Sequence, residues 1–149
     1  METVRHKNAD SRQRACLQTR RWANDLITAH PLLVTRLDEK GVGIASTRLV
    51  EELMRFLWLC ANNRGAITPS RCVDIAWHEF ILFTRAYSSF CDQTLGVYVH
   101  HEPSDGPEVG QYHATLRHYA DTFGPPDPEC WPQPGTPSEC GACETVSVS

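Results

Sequence analysis

Thr68–Pro103, reading TPSRCVDIAWHEFILFTRAYSSFCDQTLGVYVHHEP, is the stretch around which the rest of the chain is arranged. Thr68 is a residue type that caps helices, and Pro69 suits a first helical turn because the N–H it lacks needs no partner there. No further Pro or Gly occurs before Gly96, so the spacing predicts one helix from Pro69 to about Asp92. Val97-Tyr98-Val99 then reads as a short extended segment that carries His100 and His101.

Projection at about 100° per residue separates two faces of that helix. Val73, Ala76, Trp77, Phe80, Phe83, Thr84, Tyr87, Phe90 and Cys91 share a broad apolar side, which is read as core. Asp74, His78, Arg85, Ser89 and Asp92 share the other. Asp74 and His78 stand at i and i+4, so the carboxylate can hold one imidazole nitrogen and leave the other free. A histidine supported by a carboxylate in this way is a common form of metal ligand or general base. The same pair also serves as a plain structural hydrogen bond, and both readings stay open. Neighbours in an extended run point to opposite faces, so one of His100 and His101 faces His78 and the other turns away. Cys91 lies about 220° around the axis from His78, which makes it a core thiol. His78-Glu79 opens like a zinc-protease motif, but Leu82 stands where the second histidine is required, so HExxH is absent.

The string Val73-Asp74-x-x-Trp77-His78-x-Phe80-Ile81-Leu82-x-Thr84-x-x-Tyr87-x-x-Phe90-Cys91, followed by Gly96 and His100-His101-x-Pro103, resembles a bacterial family of small uncharacterised proteins. These are similar to the glycine-rich domain-containing protein-like family, best known from larger plant proteins. The resemblance runs from about Leu49 to Pro132 and includes Phe123-Gly124-Pro125-Pro126 and Trp131-Pro132. It implies a family and no established activity. The long glycine-rich segment of the plant relatives is missing, so a role tied to that segment does not carry over.

At 149 residues the chain has room for one domain with a real core. A hydrophobic content of 41% with four Trp argues for a folded protein. The net charge of −4 makes no case for nucleic-acid binding. Residues 1–21 are the exception: six Arg and Lys against Glu2 and Asp10 give a net of +4, read as a solvated helix face or an arm for an acidic protein partner. No apolar run approaches the ~18 residues that cross a membrane, and no secretory signal core follows Met1. A cytoplasmic protein is therefore expected, its seven Cys mostly thiols or ligands.

Taken in order, residues 1–11 are expected as a flexible N-terminus and residues 12–124 as a helical domain. A helix from about Ser11 to His30 is broken by Pro31, which starts a second helix closed by Gly41. Ser46 or Thr47 caps a third, whose stripe is Leu49, Val50, Leu53, Phe56, Leu57 and Cys60. After the long helix comes a Pro/Gly loop, then a last helix from about Glu108 to Phe123. Its stripe of Val109, Tyr112, His113, Leu116, Tyr119, Ala120 and Phe123 turns His113 inward and His118 outward. Residues 125–149 read as a tail with six prolines by residue 137, carrying the thiols Cys130, Cys140 and Cys143. One CxxC pair is half a zinc site, so these thiols are a secondary candidate for a soft metal.

The expected fold is a single all-α domain of four to five helices with a short extended segment near 97–99. Three functions fit it. The first is transition-metal binding, Zn or Fe, through His78 with His100 or His101 and His113, Asp74 standing behind the ligands. The second is a protein–protein interaction module in which the Asp–His pair is structural. The third is a metal-dependent enzyme of unknown reaction, with no phosphate loop, dinucleotide fingerprint or nucleophile elbow to specify a class.

Overall fold

The computed structural model describes residues 2–102 and 109–135. Among them run six α-helices and one π-helical turn: α1 Glu2–Ala29, α2 Pro31–Lys40, α3 Ser46–Asn62, α4 Arg71–Leu82, α5 Thr84–Ser89, the π turn Phe90–Leu95, and α6 Val109–Phe123. The all-helical class is as expected, with six helices rather than four to five. Residues 98–102 have no regular secondary structure, and no strand forms among the described residues.

α3 is the centre because its broad apolar face is packed against helices on several sides. Leu49, Val50, Leu53, Met54, Phe56, Leu57 and Leu59 are all fully buried. α1 lies along α3 and α6, while α2 and α4 close the other sides of α3. The stripe of α1 that meets α3 is small, with Ala15, Thr19 and Ala23 buried, so the two backbones approach closely. The Thr19 hydroxyl donates to the Ala15 carbonyl at 2.9 Å, which removes the cost of burying it. α2 ends at Gly41, whose φ of 62° suits a residue without a Cβ. It is tied to α4 by Arg36 and Lys40, at 2.6 and 3.2 Å from the two carboxylate oxygens of the buried Glu79.

Several boundaries differ from expectation for local reasons. The chain is helical from Glu2, so most of the segment expected to be flexible belongs to α1; Val4 to Arg14 remain exposed throughout. α4 is capped by Ser70, whose hydroxyl accepts from the Val73 N–H, and not by Thr68. Thr68 instead donates its N–H to the Thr115 hydroxyl at 2.9 Å, tying the segment before α4 to α6. Ser46 does not cap α3, since its hydroxyl donates to the Asp38 carboxylate. Finally, the single helix expected over 69–92 is broken at Phe83, where φ is −81° and ψ is 65°. In a straight helix Trp77 and Tyr87 would stand about 15 Å apart along the axis. The break lets the Trp77 indole N–H reach the Tyr87 hydroxyl at 3.0 Å.

The folded body also extends past residue 124. Cys130 and Trp131, expected in the tail, are wholly buried. A turn on Asp127 brings them back: its carbonyl accepts from the N–H groups of Cys130 and Trp131, and Arg48 pairs with its carboxylate. The Trp131 indole then donates to the Glu52 carboxylate at 2.8 Å, inside the core between α3 and α6. Tyr119 donates to the same oxygen at 2.7 Å and accepts from Arg55 at 2.6 Å. A proline-rich segment has no periodic apolar pattern of its own, yet one Trp with a polar partner suffices to dock it.

Candidate metal centre

The site is built on the exposed face of α4. Asp74 and His78 lie one turn apart there, as their spacing requires. The third member is His101, delivered by the segment after the π turn. That segment is held from within: the Tyr87 hydroxyl receives the Trp77 indole N–H and itself donates to the Val99 carbonyl. Burial pushes the Tyr87 phenol far above its ordinary pKa, so it stays a donor at any physiological pH. Gly96, at φ 76°, turns the chain out of the π turn, and its N–H closes on the Cys91 carbonyl.

His101 therefore lands on Trp77, ring centroids 4.2 Å apart, with its Nε2 2.9 Å from Asp74 Oδ1. The His78 ring stands 4.1 Å from the His101 ring. Its Nδ1 is 2.8 Å from the Asp74 backbone carbonyl and 3.5 Å from Asp74 Oδ2. One ligand atom from each of Asp74, His78 and His101 lies within 4.8 Å of the other two. The His78 side chain is 56% exposed, against 37% for Asp74 and 18% for His101. The cluster is thus open to solvent on the His78 side and backed by an indole on the other.

This geometry revises the assignment of roles. Asp74 was expected to hold His78 from behind, but its carboxylate bonds His101 more closely, and His78 is steadied by a backbone carbonyl. The carboxylate belongs to the donor group itself. Of the two adjacent histidines it is His101 that joins the cluster; His100 stacks on Tyr98 at 4.6 Å and is exposed. His113 is exposed on α6 and is not part of the cluster. The buried face of that helix is Tyr112, Thr115, Leu116, Tyr119 and Phe123, so Thr115 occupies the inward position that the apolar count gave to His113. Thr115 satisfies its hydroxyl by donating to the Gln111 carbonyl at 3.1 Å and accepting from Thr68. Cys130 is a core thiol whose pKa burial pushes up to about 11, which removes it from the exposed tail ligands. Cys140 and Cys143 lie outside the described residues.

What the sequence reading missed is the support behind the histidines. Trp77 and Tyr87 were read as core, and both are buried. Their polar atoms carry the extra information, since a buried indole N–H and phenol each need a partner. Here those partners are each other and the backbone of the very segment that presents His101.

One comparison places the chain. A family model spans residues 12–117, including all three cluster residues. The chain belongs to the UCP032817-like family. No curated protein and no solved structure matches it. The region shared with the UCP032817-like family stops short of Cys130 and Trp131, so the docked C-terminal segment lies beyond the matched residues.

Proposed function

We propose that this protein binds a transition metal, zinc or iron(II), through His78, His101 and Asp74. The observation that carries the reading is the convergence of two imidazoles and a carboxylate within 4.8 Å on one face of α4. Two nitrogens and one oxygen suit zinc or iron(II), whereas calcium and magnesium prefer all-oxygen sites. In such a site Asp74 and His78 are set by helix spacing, and His101 is set by Tyr87 and Trp77. Three protein donors leave at least one coordination position for water or a substrate. The exposure of His78 agrees with that opening, and it is the feature favouring a metal-dependent enzyme over a closed structural site. A bound metal there would supply Lewis-acid chemistry. His100, exposed one residue away, is outside the ligand set.

A second reading has its own observation: the Asp74–His101 bond of 2.9 Å pins the segment to α4 with no ion needed. The cluster would then be a latch, and the protein an interaction module for a partner protein. A cytoplasmic location goes with either reading, in keeping with the finding that no described helix is long and apolar enough to cross a membrane. Kinship with the glycine-rich domain-containing protein-like family is likewise part of the proposal, supported by the spacing of Trp77-His78, Phe90-Cys91 and His100-His101-x-Pro103. Elemental analysis of protein purified without a histidine tag tests the metal reading. Stoichiometric zinc or iron that is lost on His78→Ala and His101→Ala, and kept on His100→Ala, supports it. A metal-free wild type that also fails to take up added zinc or iron(II) leaves the latch.

A further inference from the structure

A second feature lies away from the histidines, where α1, α3, the π turn and α6 converge. They border a shallow, open groove of about 750 Å³. Its lining includes two half-buried indoles, Trp22 and Trp58, with ring centroids 5.5 Å apart and planes inclined by 38°. Each also makes an edge contact with a phenylalanine, Trp22 with Phe90 and Trp58 with Phe123. The two indoles thus pack against each other and against these rings, which fixes their orientation.

The four tryptophans divide in a telling way. Trp77 and Trp131 donate their indole N–H groups to Tyr87 and Glu52 inside the protein. Those of Trp22 and Trp58 have no partner among the described residues. Neither is a sealed donor, because the one buried side-chain polar atom without a partner there is Arg55 Nε. Both N–H groups thus reach solvent on residues that line the groove. Around them stand three carboxamides, Gln18, Asn62 and Gln93. Asn62 Nδ2 is committed to the Trp58 carbonyl at 2.9 Å, which leaves its Oδ1 as an acceptor. The charged lining residue is Arg14, whose guanidinium lies 3.1 Å from the Asp10 carboxylate.

We propose that this groove binds a neutral carbohydrate. An apolar indole face fits the C–H face of a sugar ring, and carboxamides offer a donor and an acceptor side by side, as adjacent hydroxyls do. A phosphate or carboxylate ligand would call for cations among the lining residues, and the one there is Arg14, 73% exposed with the Asp10 carboxylate beside it. The groove is lined by no pair of carboxylates, so the assignment is binding and not glycoside cleavage.

The test is a titration of the full chain, labelled with nitrogen-15, against methyl glycosides of glucose, galactose, mannose and N-acetylglucosamine. Single sugars bind shallow sites weakly, so concentrations run to about 50 mM. The expected result is that at least one glycoside shifts the indole N–H signals of Trp22 and Trp58 while those of Trp77 and Trp131 stay in place. Gln18→Ala with Gln93→Ala, which keeps both indoles, should then weaken binding roughly tenfold or more. Uridine and inorganic phosphate serve as controls. The proposal is overturned if no glycoside moves the two signals, if all four move together, if a control binds in their place, or if the double variant binds as well as the wild type.

Discussion

Two carboxylates on neighbouring helices organise two sites with a similar cast and opposite fates. Glu52 on α3 gathers Tyr119, Arg55 and Trp131; Asp74 on α4 gathers His101 and His78. In each, the carboxylate captures an aromatic N–H from a later, irregular segment and fastens that segment to the helix. Glu52 is 3% exposed and surrounded by donors that point at it. Tyr119 and Trp131 are buried with it, and of the group's buried side-chain polar atoms only Arg55 Nε lacks a hydrogen-bond partner. Around Asp74 the shell is half finished, with His78 turned to solvent and nitrogens left over. The chemistry of the side chains is alike in the two places. Exposure makes one a fastening and leaves the other open to solvent, as the proposed metal binding requires.

The largest effect should separate the two. Glu52→Ala leaves the buried Tyr119 hydroxyl and Trp131 indole N–H without their acceptor, while Arg55 keeps Glu51 at 3.0 Å, and should cost about 2–5 kcal/mol in urea denaturation. Asp74→Ala, at a pair open to solvent, should cost under about 1 kcal/mol. Equal losses at the two positions would erase the distinction. Tyr87→Phe stands between them. It removes the donor to Val99 and orphans the Trp77 indole, a loss of about 1–3 kcal/mol, and it should loosen the segment that presents His101.

A pH titration sharpens the contrast from the side of α2. Burial alone would raise the Glu79 pKa, but hydrogen bonds from Arg36 and Lys40 outweigh it and bring the carboxylate below its ordinary value. A lowered folded-state pKa means that the stabilisation is complete above the unfolded value of about 4.3 and is lost as pH falls through the lowered one. The docking of α2 should therefore fail at acid pH, and Glu79→Gln should flatten the acid limb of a stability–pH curve. The smallest signal is chemical. Burial pushes the Cys60 thiol up to about 12, and burial together with Glu52 pushes Cys130 up to about 11. Both should resist iodoacetamide at neutral pH for as long as the protein stays folded. Prompt labelling of Cys130 would mean that the Trp131 segment is not docked.

The helical class and the inward faces of α3 and α4 were legible because period and composition agreed over long runs. Leu49, Leu53, Phe56 and Phe80 are wholly buried, as their spacing indicated. The break at Phe83 was not legible, since no Gly or Pro marks it and its cause is a contact between residues ten apart. The polarity of Glu52 hid the buried network in the same way. A glutamate on an apolar stripe looks like an edge position until Tyr119 and Trp131 are known to reach it. For the site, spacing alone gave Asp74 and His78, and alternation required one of His100 and His101 to face away. Which one turns away depends on Tyr87 gripping Val99, a tertiary fact. His113 went wrong because an amphipathic helix can be rotated by one residue with little change in its apolar count.

The central claim is that Asp74, His78 and His101 form one exchangeable ligand set. Calorimetric titration of zinc into metal-stripped, untagged protein measures this directly, with His78→Ala, His101→Ala and His100→Ala in parallel. The account predicts one tight site in the wild type and in His100→Ala, loss of that site in the other two, and weakening on acidification as protons compete for the imidazoles. Equal binding by wild type and His78→Ala, or none by any of the four, would contradict it.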